Sequence, residues 1–327
     1  MSSVVPRYSM TWNAEAATAQ DVDAITLTAV TKRYRQTTAV RDVSFSVGRG
    51  EMFGLIGPDG AGKTTTIRMI CGLLPPDAGT LRVLDLDPAR DHRRLTEAAG
   101  YLSQRFSLYG DLSIDENIAF FAEIHGVRDY RSRRDRLLEL TQLTPFRARL
   151  ADRLSGGMKQ KLALACTLVH EPSLILLDEP TTGVDPVSRR EFWKLLSEFL
   201  SQGITIVMAT PYLDEAERCS RVALLHQGGL LAMDTPAALT GSLPGTLYEV
   251  MMTEHRRAVA ILRELPGVHD VQMFGERAHV RLDREDAVAV EALTKRLTDA
   301  GVQVTGVRPI ATSLEDVFIA RLQEATP

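Results

Sequence analysis

The chain has 327 residues, of which 44% are hydrophobic and 24% are charged, and its net charge is −4. This composition is ordinary for a globular protein of about two domains, and the weak negative charge argues against a chain whose main task is to grip nucleic acid. No apolar run approaches the ~20 residues that span a bilayer, and residues 1–20 lack the apolar core of a secretory leader. We therefore expect a cytoplasmic protein whose membrane role, if any, needs separate partners.

The first pattern along the chain is strand-like. Residues 1–21 lack periodicity and predict a flexible tail, whereas residues 24–30 and 40–47 alternate apolar and polar side chains as strands do. Tyr34 lies between these two segments. It could stack on an adenine ring or be a half-exposed tyrosine at a strand end, and its spacing alone leaves both interpretations open.

The chain then reaches GPDGAGKTT, which follows a short apolar strand over residues 51–56. It fits the phosphate-binding template G-x-x-x-x-G-K-[ST]. Small residues let the backbone N–H groups turn onto a triphosphate at the N-terminus of a helix, which we expect over residues 65–74. In this template Lys63 reaches the β- and γ-phosphates and the Thr64 hydroxyl holds Mg²⁺. The loop therefore predicts nucleotide binding by Gly57, Pro58, Asp59, Gly60, Ala61, Gly62, Lys63, Thr64 and Thr65.

The next segments predict two strands and a helical region. The strands cover residues 81–86 and 98–104, and the second ends in Gln104. Residues 111–150 have helical periodicity, with an apolar stripe of Ile114, Ile118, Phe121 and Ile124. Four arginines within residues 131–136 predict a solvated helix face rather than a binding site.

A second constellation follows the helical region. Leu154–Met158 reads LSGGM and opens a helix through His170, and the apolar strand Leu174–Leu177 is followed by Asp178 and Glu179. A buried parallel strand ending in a carboxylate can hold Mg²⁺ through water, and Glu179 stands where a base could orient an attacking water. Beside a phosphate loop, this pairing favours catalysis over simple capping.

The rest of the first unit contains a predicted helix over residues 186–201. A predicted strand over residues 204–210 should be the last apolar strand of this core. A further helix begins at Pro211, and a hairpin pairs 222–225 with 230–232. Three widely spaced cysteines predict buried free thiols rather than a metal site, namely Cys71, Cys166 and Cys219.

A second unit is predicted from residue 241. Its order βαββαβ is that of a split βαβ, ferredoxin-like domain. It contains no catalytic cluster, so we expect a regulatory or dimer-stabilising module.

At this point residues 24–239 resemble the ATP-binding subunit of an ABC transporter. The resemblance is carried by the phosphate loop, Gln104, Leu154–Met158, Leu174–Glu179 and Thr182–Pro186, which follow the family's order. The C-terminal unit, with its Ser313-Leu314-Glu315-Asp316-Val317-Phe318 end, resembles the extension on ATPases of multidrug-type and related exporters. The resemblance implies an α/β P-loop NTPase core of ABC type over residues 22–240, with a helical subdomain near 105–165 and an antiparallel β edge. A small C-terminal α+β, ferredoxin-like domain would cover residues 241–327.

The resemblance also implies roles for residues and partners. Tyr34 would stack on the adenine of ATP, and Asp178 would support Mg²⁺ with Thr64. Gln104 would contact both Mg²⁺ and the attacking water, and Glu179 would polarise that water, so these two are the expected catalytic residues. Residues of a second ATP-binding subunit, identical or different, would complete each site through Ser155, Gly156, Gly157 and Asp185. Integral membrane permease subunits would be the other partners, with the chain peripheral on the inner face of the cell membrane and with no role for nucleic acid.

Three departures from the family pattern bear on activity. Asp59 stands where asparagine is usual, so its charge must point away from phosphate, and Met158 replaces a glutamine. Pro211 replaces the histidine that normally follows the last strand and bonds the γ-phosphate, and proline has no side-chain donor. We expect intact ATP binding and slowed hydrolysis. The alternatives are a binding-only regulatory subunit, or a non-transport clamp on DNA or the ribosome, whose usual coiled coil, zinc module or second ATPase copy the sequence lacks.

Overall fold

A computed structural model describes residues 23–104, 107–283 and 287–325, so the predicted tail at residues 1–21 lies outside the described residues. The chain forms two compact units that divide between Met233 and Asp234, whereas the sequence placed this boundary at residues 240 and 241. Within the described ranges, no helix has the length and apolar character needed to cross a bilayer.

The first unit contains nine strands and seven α-helices among its described residues. In chain order they are β1 Asp23–Tyr34, β2 Thr37–Gly48, β3 Met52–Ile56, α1 Lys63–Ile70, β4 Ala78–Val83, α2 His92–Ala98, β5 Ala99–Leu102, α3 Ile114–Ile124, α4 Arg131–Leu140, α5 Gly156–Leu168, β6 Leu174–Asp178, α6 Pro186–Ser201, β7 Thr205–Thr210, α7 Leu213–Ala216, β8 Arg221–His226 and β9 Gly229–Asp234.

The main sheet has six strands in the order β5-β6-β7-β3-β8-β9. Pairing from β5 through β8 is parallel, and every residue of β3, β6 and β7 is buried. Continuous apolar runs form such strands because both faces of a parallel sheet are covered. Parallel strands end at the same edge, so the loops after β3, β5, β6 and β7 meet there.

A second sheet has the order β2-β1-β4 with antiparallel pairing, which gives the predicted antiparallel edge. Its apolar face and the main sheet enclose one hydrophobic core together with α1, with members such as Ile25, Phe45, Phe53 and Ile67. The two phenylalanine rings stack with centroids 5.2 Å apart. The first strand is longer than predicted and ends at Tyr34 itself.

The helical region consists of α3 and α4, which both contact α5. Ser113 and Glu116 form a capping box that begins α3, since each side chain bonds the other residue's backbone N–H. The predicted apolar stripe is wrong at Ile124, which is 62% exposed because α3 ends there. The arginine run is only partly a solvated face, because Arg133 pairs with Glu171 and Arg134 with Asp115.

Four further sequence predictions differ from the structure. Helix α1 ends at Ile70 rather than at residue 74, because Gly72 takes a left-handed φ of 73°. Strand β5 ends at Leu102, so Gln104 lies in the loop beyond it. Helix α2 was not predicted. Strand β7 is not the last of its sheet, since β8 pairs parallel with β3.

All three cysteines are free, as predicted, and Cys166 and Cys219 are buried. Cys71 is only partly buried. Among the described residues no group of His, Cys, Asp and Glu side chains could hold a metal ion by itself.

The second unit has the predicted order βαββαβ between two flanking helices. Its elements are α8 Pro236–Gly241, β10 Thr246–Met252, α9 His255–Arg263, β11 Val268–Phe274, β12 Arg277–Leu282, α10 Ala287–Asp299, β13 Val304–Ile310 and α11 Leu314–Ala325. The strands pair antiparallel in the order β11-β12-β10-β13, the order of a split βαβ arrangement. Tyr248, Val250 and Met252 point from one face of β10 into the apolar core of this unit.

Candidate functional site

A cavity of about 1030 Å³ opens at the carboxyl edge of the main sheet. The loops that follow β3, β5, β6 and β7 all contribute to its lining, because parallel strands deliver their carboxyl ends to one edge. Its wall includes residues 59–65 of the phosphate loop and α1, and these further side chains: Tyr34, Arg41, Gln104, Glu179, Thr182, Pro211, Tyr212 and Gln227.

The phosphate loop is held in place by close backbone contacts. Gly62 has φ 101°, and a Cβ there would lie 2.4 Å from the Ala39 carbonyl oxygen. A Cβ on Gly57 would lie 2.2 Å from the Leu225 carbonyl oxygen. Gly60 also has a positive φ, but a Cβ there would meet nothing within 4 Å. The loop therefore packs closely against backbone at Gly57 and Gly62 and has free space beside Gly60.

Lys63 begins α1 and is 4% exposed. Its Nζ donates to the Gly57 carbonyl at 2.8 Å and to the Pro58 carbonyl at 3.0 Å, and it lies 3.7 Å from Glu179 Oε1. An ammonium carries three donors, so one remains for an anion in the cavity. The two carbonyl bonds hold the cation beneath the loop.

Thr64 lines the cavity and forms an oxygen pair with Asp178, which is buried at the end of β6. The Thr64 hydroxyl donates to Asp178 Oδ1 at 2.9 Å, and the Tyr101 hydroxyl reaches Oδ2 at 3.4 Å. Burial raises the pKa of Asp178, against the opposing effects of the Thr64 bond and the Arg68 charge. Burial and then the Asp178 charge raise the pKa of Tyr101 to about 12, so this tyrosine stays a neutral donor.

Glu179 and Gln104 meet at the cavity wall. Gln104 Nε2 donates to Glu179 Oε2 at 2.9 Å, and the Thr182 hydroxyl lies 3.5 Å from the same oxygen. The Glu179 backbone has a left-handed φ of 50°, held by its N–H bond to the Ala209 carbonyl at 2.8 Å. Strained backbone of this kind concentrates at functional sites.

Two sequence predictions at the cavity mouth concern Tyr34 and Asp59. Tyr34 is 43% exposed and lines the cavity, so it is both a strand-end tyrosine and available to stack on a planar ligand. Asp59 is exposed on the open side of the loop and also contributes to the lining.

Seven predicted site residues do not line this cavity: Gly57, Pro58 and Asp178, which adjoin lining residues in the chain, and Ser155, Gly156, Gly157 and Asp185, which do not. Ser155 caps α5 by accepting from the Met158 N–H at 3.3 Å, and Gly156 is exposed beside it. Gly157 lies against α6, where a Cβ would come 2.3 Å from Ser188 Oγ. Asp185 caps α6, and hydrogen bonds from Ser188 lower its pKa. Within one chain these residues therefore form a second cluster, separate from the phosphate loop.

Sequence reasoning missed several residues of the cavity and its base. Tyr101 lies on β5 and bonds Asp178, whereas Arg41 and Gln227 line the wall beside the phosphate loop. The turn after β8 touches the loop through the Gly228 N–H, which donates to the Ala61 carbonyl at 3.2 Å. No local motif marks these positions, because distant strands bring them to the loop.

The residues present fit a magnesium–triphosphate ligand. The loop offers backbone N–H groups at the start of α1 and one free lysine donor. Thr64 and Asp178 supply the hydroxyl and carboxylate oxygens that Mg²⁺ prefers. Tyr34 at the mouth offers an aromatic face to a base.

Comparison with known proteins agrees with this geometry. The family model described as "ABC transporter" matches residues 40–182. The probable multidrug ABC transporter ATP-binding protein YbhF of Escherichia coli is 40% identical over 301 residues, which cover 86% of this chain and 52% of YbhF. The chain thus spans about half the length of that relative.

A second relative matches along nearly its whole length. The daunorubicin resistance ATP-binding protein DrrA2 of Streptomyces coeruleorubidus is 34% identical over 302 residues, covering 90% of this chain and 94% of DrrA2. Among solved structures, a dimeric ATP-binding cassette in a post-hydrolysis state with ADP and phosphate has a TM-score of 0.58 and 26% identity, covering 64% of this chain and 98% of that one.

Proposed function

The chain belongs to the ABC transporter ATPase family, and from that premise we propose that it binds MgATP and hydrolyses it to drive a membrane exporter. One observation carries the proposal. A single cavity brings the phosphate loop and Gln104 to Glu179, whose carboxylate lies 3.7 Å from Lys63 Nζ.

The phosphate loop does the binding. Its backbone N–H groups and Lys63 would hold the β- and γ-phosphates, and Tyr34 would stack on the adenine. Thr64 and Asp178 would hold Mg²⁺, with Gln104 reaching the same ion. When bound there, Mg²⁺ would neutralise charge on the phosphate groups.

We assign the orientation of the attacking water to Glu179. Its carboxylate accepts from Gln104 at 2.9 Å and stands on a strained backbone at the cavity wall. A carboxylate held this way can accept a proton from a water aimed at the γ-phosphate. Gln104 keeps the carboxylate in position until that water arrives.

A second ATP-binding subunit would complete each site. Ser155, Gly156, Gly157 and Asp185 lie outside the cavity of their own chain, as expected if they serve the ATP held by a partner. The related cassette that is dimeric with ADP and phosphate supports this arrangement. We further propose integral membrane permease subunits as partners, which places the chain on the inner face of the cell membrane.

The direction of transport is proposed as export, because the relatives are named for multidrug transport and daunorubicin resistance. The cargo would be chosen by the permease. The second unit, residues 234–327, has a buried core of its own and is proposed as a regulatory or dimer-stabilising domain.

Pro211 favours slow hydrolysis as a second element of the proposal. It lines the cavity where the family has a histidine, and it offers no side-chain donor to the γ-phosphate. Two arrangements follow from this. The chain is either a regulatory subunit that mainly binds ATP, or the partner of a different ATPase subunit that supplies one competent site.

Turnover and binding of MgATP by the purified chain test the proposal. The parent should bind ATP and release phosphate, and Glu179→Gln should keep binding while losing about a hundredfold or more of turnover. Lys63→Ala should lose both. Equal turnover in the parent and Glu179→Gln would contradict the proposed chemistry. Failure of all three proteins to bind MgATP would contradict the proposed ligand.

A further inference from the structure

Glu215 is a buried carboxylate that the chemistry above does not use. It lies on α7, four residues after Pro211, and it is only 1% exposed. We propose that Glu215 is a positioning residue that fixes the loop carrying Glu179 against the loop carrying Pro211, where both line the cavity. This inference rests on the proposed ATPase function and assigns a further residue to its site.

Two threonine hydroxyls converge on the Glu215 carboxylate. Thr181 Oγ1 donates to Oε1, and Thr210 Oγ1 donates to Oε2 at 2.7 Å. Thr181 and Thr210 are 1% and 0% exposed, so water does not replace either bond. Because each oxygen serves a different threonine, the carboxylate is a rigid bridge between them.

Each threonine belongs to a loop that lines the cavity. Thr181 lies between Glu179 and Thr182, and both of these neighbours line the wall. Thr210 ends β7, immediately before Pro211, and its hydroxyl accepts the Tyr212 N–H at 3.1 Å. The Glu179 N–H already bonds the Ala209 carbonyl at 2.8 Å, and the Glu215 carboxylate adds a side-chain link between the same two loops.

Arg189 supplies the opposing charge. It lies on α6, its Nε is 3.8 Å from Glu215 Oε1, and its guanidinium stands over the Tyr212 ring at 5.0 Å from the centroid. The distance exceeds a hydrogen bond, so this contact is an ion pair. Helix α6 begins at the Asp185 cap, so the same cluster also ties the proposed partner-facing loop to the cavity wall.

A purely structural role would not need a charge here. Burying an ion pair costs desolvation energy that an apolar cluster of the same volume avoids. What a carboxylate adds is direction, since its two oxygens fix two hydroxyl donors at once. The precision is useful at this position, because displacements of about 1 Å near reacting groups cost on the order of a hundredfold in rate.

Conservative variants test the bridge without emptying the site. Thr181→Val and Thr210→Val each remove one hydroxyl at nearly constant volume. Glu215→Gln keeps one acceptor oxygen and converts the other to a donor that cannot accept from threonine. Thr141→Val is the matched control, because Thr141 is also fully buried but bonds only the backbone of α4.

Hydrogen exchange of the full chain is the decisive measurement, followed in peptides covering residues 179–184 and 210–216. Thr210→Val should speed exchange in residues 179–184 as well as in its own segment, and Thr181→Val should do the same in reverse. Thr141→Val should change neither segment. Faster exchange confined to the mutated segment would overturn the proposal, and this readout holds whether or not the parent hydrolyses ATP.

ATP kinetics supply the second readout. Thr181→Val, Thr210→Val and Glu215→Gln should each lower kcat on the order of tenfold or more, while the ATP dissociation constant stays within about twofold. Loss of ATP binding in parallel with kcat would indicate a general folding role and would contradict the positioning role. Absence of turnover in the parent, with cross-segment exchange intact, would count against the proposed ATPase and not against the bridge.

Discussion

Replacing Pro211 by histidine should accelerate ATP hydrolysis. Pro211 follows β7 at the same sheet edge as Glu179 and lines the same cavity. The backbone there is held by the Tyr212 N–H bond to Thr210 Oγ1 at 3.1 Å. A side chain introduced at this position is therefore expected to face the γ-phosphate site, and histidine brings the donor that proline lacks.

The expected gain follows from the value of one donor aimed at developing charge. Removing such a donor from an enzyme built around it costs about a hundredfold to a thousandfold in kcat. A histidine inserted into this cavity lacks supporting contacts of its own, while Lys63 already lies beneath the loop. We therefore expect a gain of about tenfold in kcat, equivalent to about 1.4 kcal/mol of transition-state stabilisation. The lost ring should cost about 1 kcal/mol or less of folding stability.

The assay is steady-state phosphate release at saturating MgATP, with ATP affinity measured separately. Pro211→Ala is the matched control, because it removes the ring without adding a donor and should show no gain. Pro211→His combined with Glu179→Gln should also show none, since the water-orienting carboxylate is then absent. If Pro211→His binds ATP like the parent and hydrolyses it no faster, the reasoning about the missing donor is wrong.

Two further predictions concern stability. Gly62→Ala forces a methyl group to 2.4 Å from the Ala39 carbonyl oxygen at a left-handed φ, so it should lower the free energy of unfolding by about 3 kcal/mol. Gly60→Ala is the control and should cost about 1 kcal/mol, because its methyl group meets only the backbone strain of a positive φ. Equal losses of the two variants in urea titrations would contradict this. Burial and then the His125 ring lower the pKa of His170 from 6.5 to about 4. As the pH falls below 6.5, this histidine is therefore protonated in the unfolded chain before it is protonated in the folded protein. The free energy of unfolding then decreases until the pH reaches about 4. Between pH 7 and pH 5 the parent should lose about 2 kcal/mol more than His170→Gln, and parallel pH profiles of the two proteins would refute the assignment.

Much of the architecture follows from local pattern. The apolar runs before Gly57 and after Pro172 became the buried strands β3 and β6, and α6 begins and ends at the residues predicted. Proline at the first helical position and an aspartate cap make that helix start unambiguous. The order βαββαβ of the second unit was also recovered from alternation and turn residues alone.

Errors arose where packing outweighed periodicity. Ile124 continues the apolar stripe of α3, but the helix ends there and leaves it exposed. Strand β8 was assigned only to a hairpin, yet it joins the main sheet beside β3. Neither outcome is encoded in a short window, because each depends on which distant segment supplies the neighbouring surface.

The sequence by itself determined the chemistry that this protein can offer. The sequence identifies the site residues by their types and spacings, because each must supply a particular donor or acceptor. They are Gly57–Thr65, Gln104, Asp178 and Glu179. The tertiary structure alone decided how they are held. Parallel strands deliver the loops to one edge, and only there do Tyr101 and the Thr181–Glu215–Thr210 bridge become visible. Such contacts join residues far apart in the chain, and the cost of burying unpaired polar groups is what selects them.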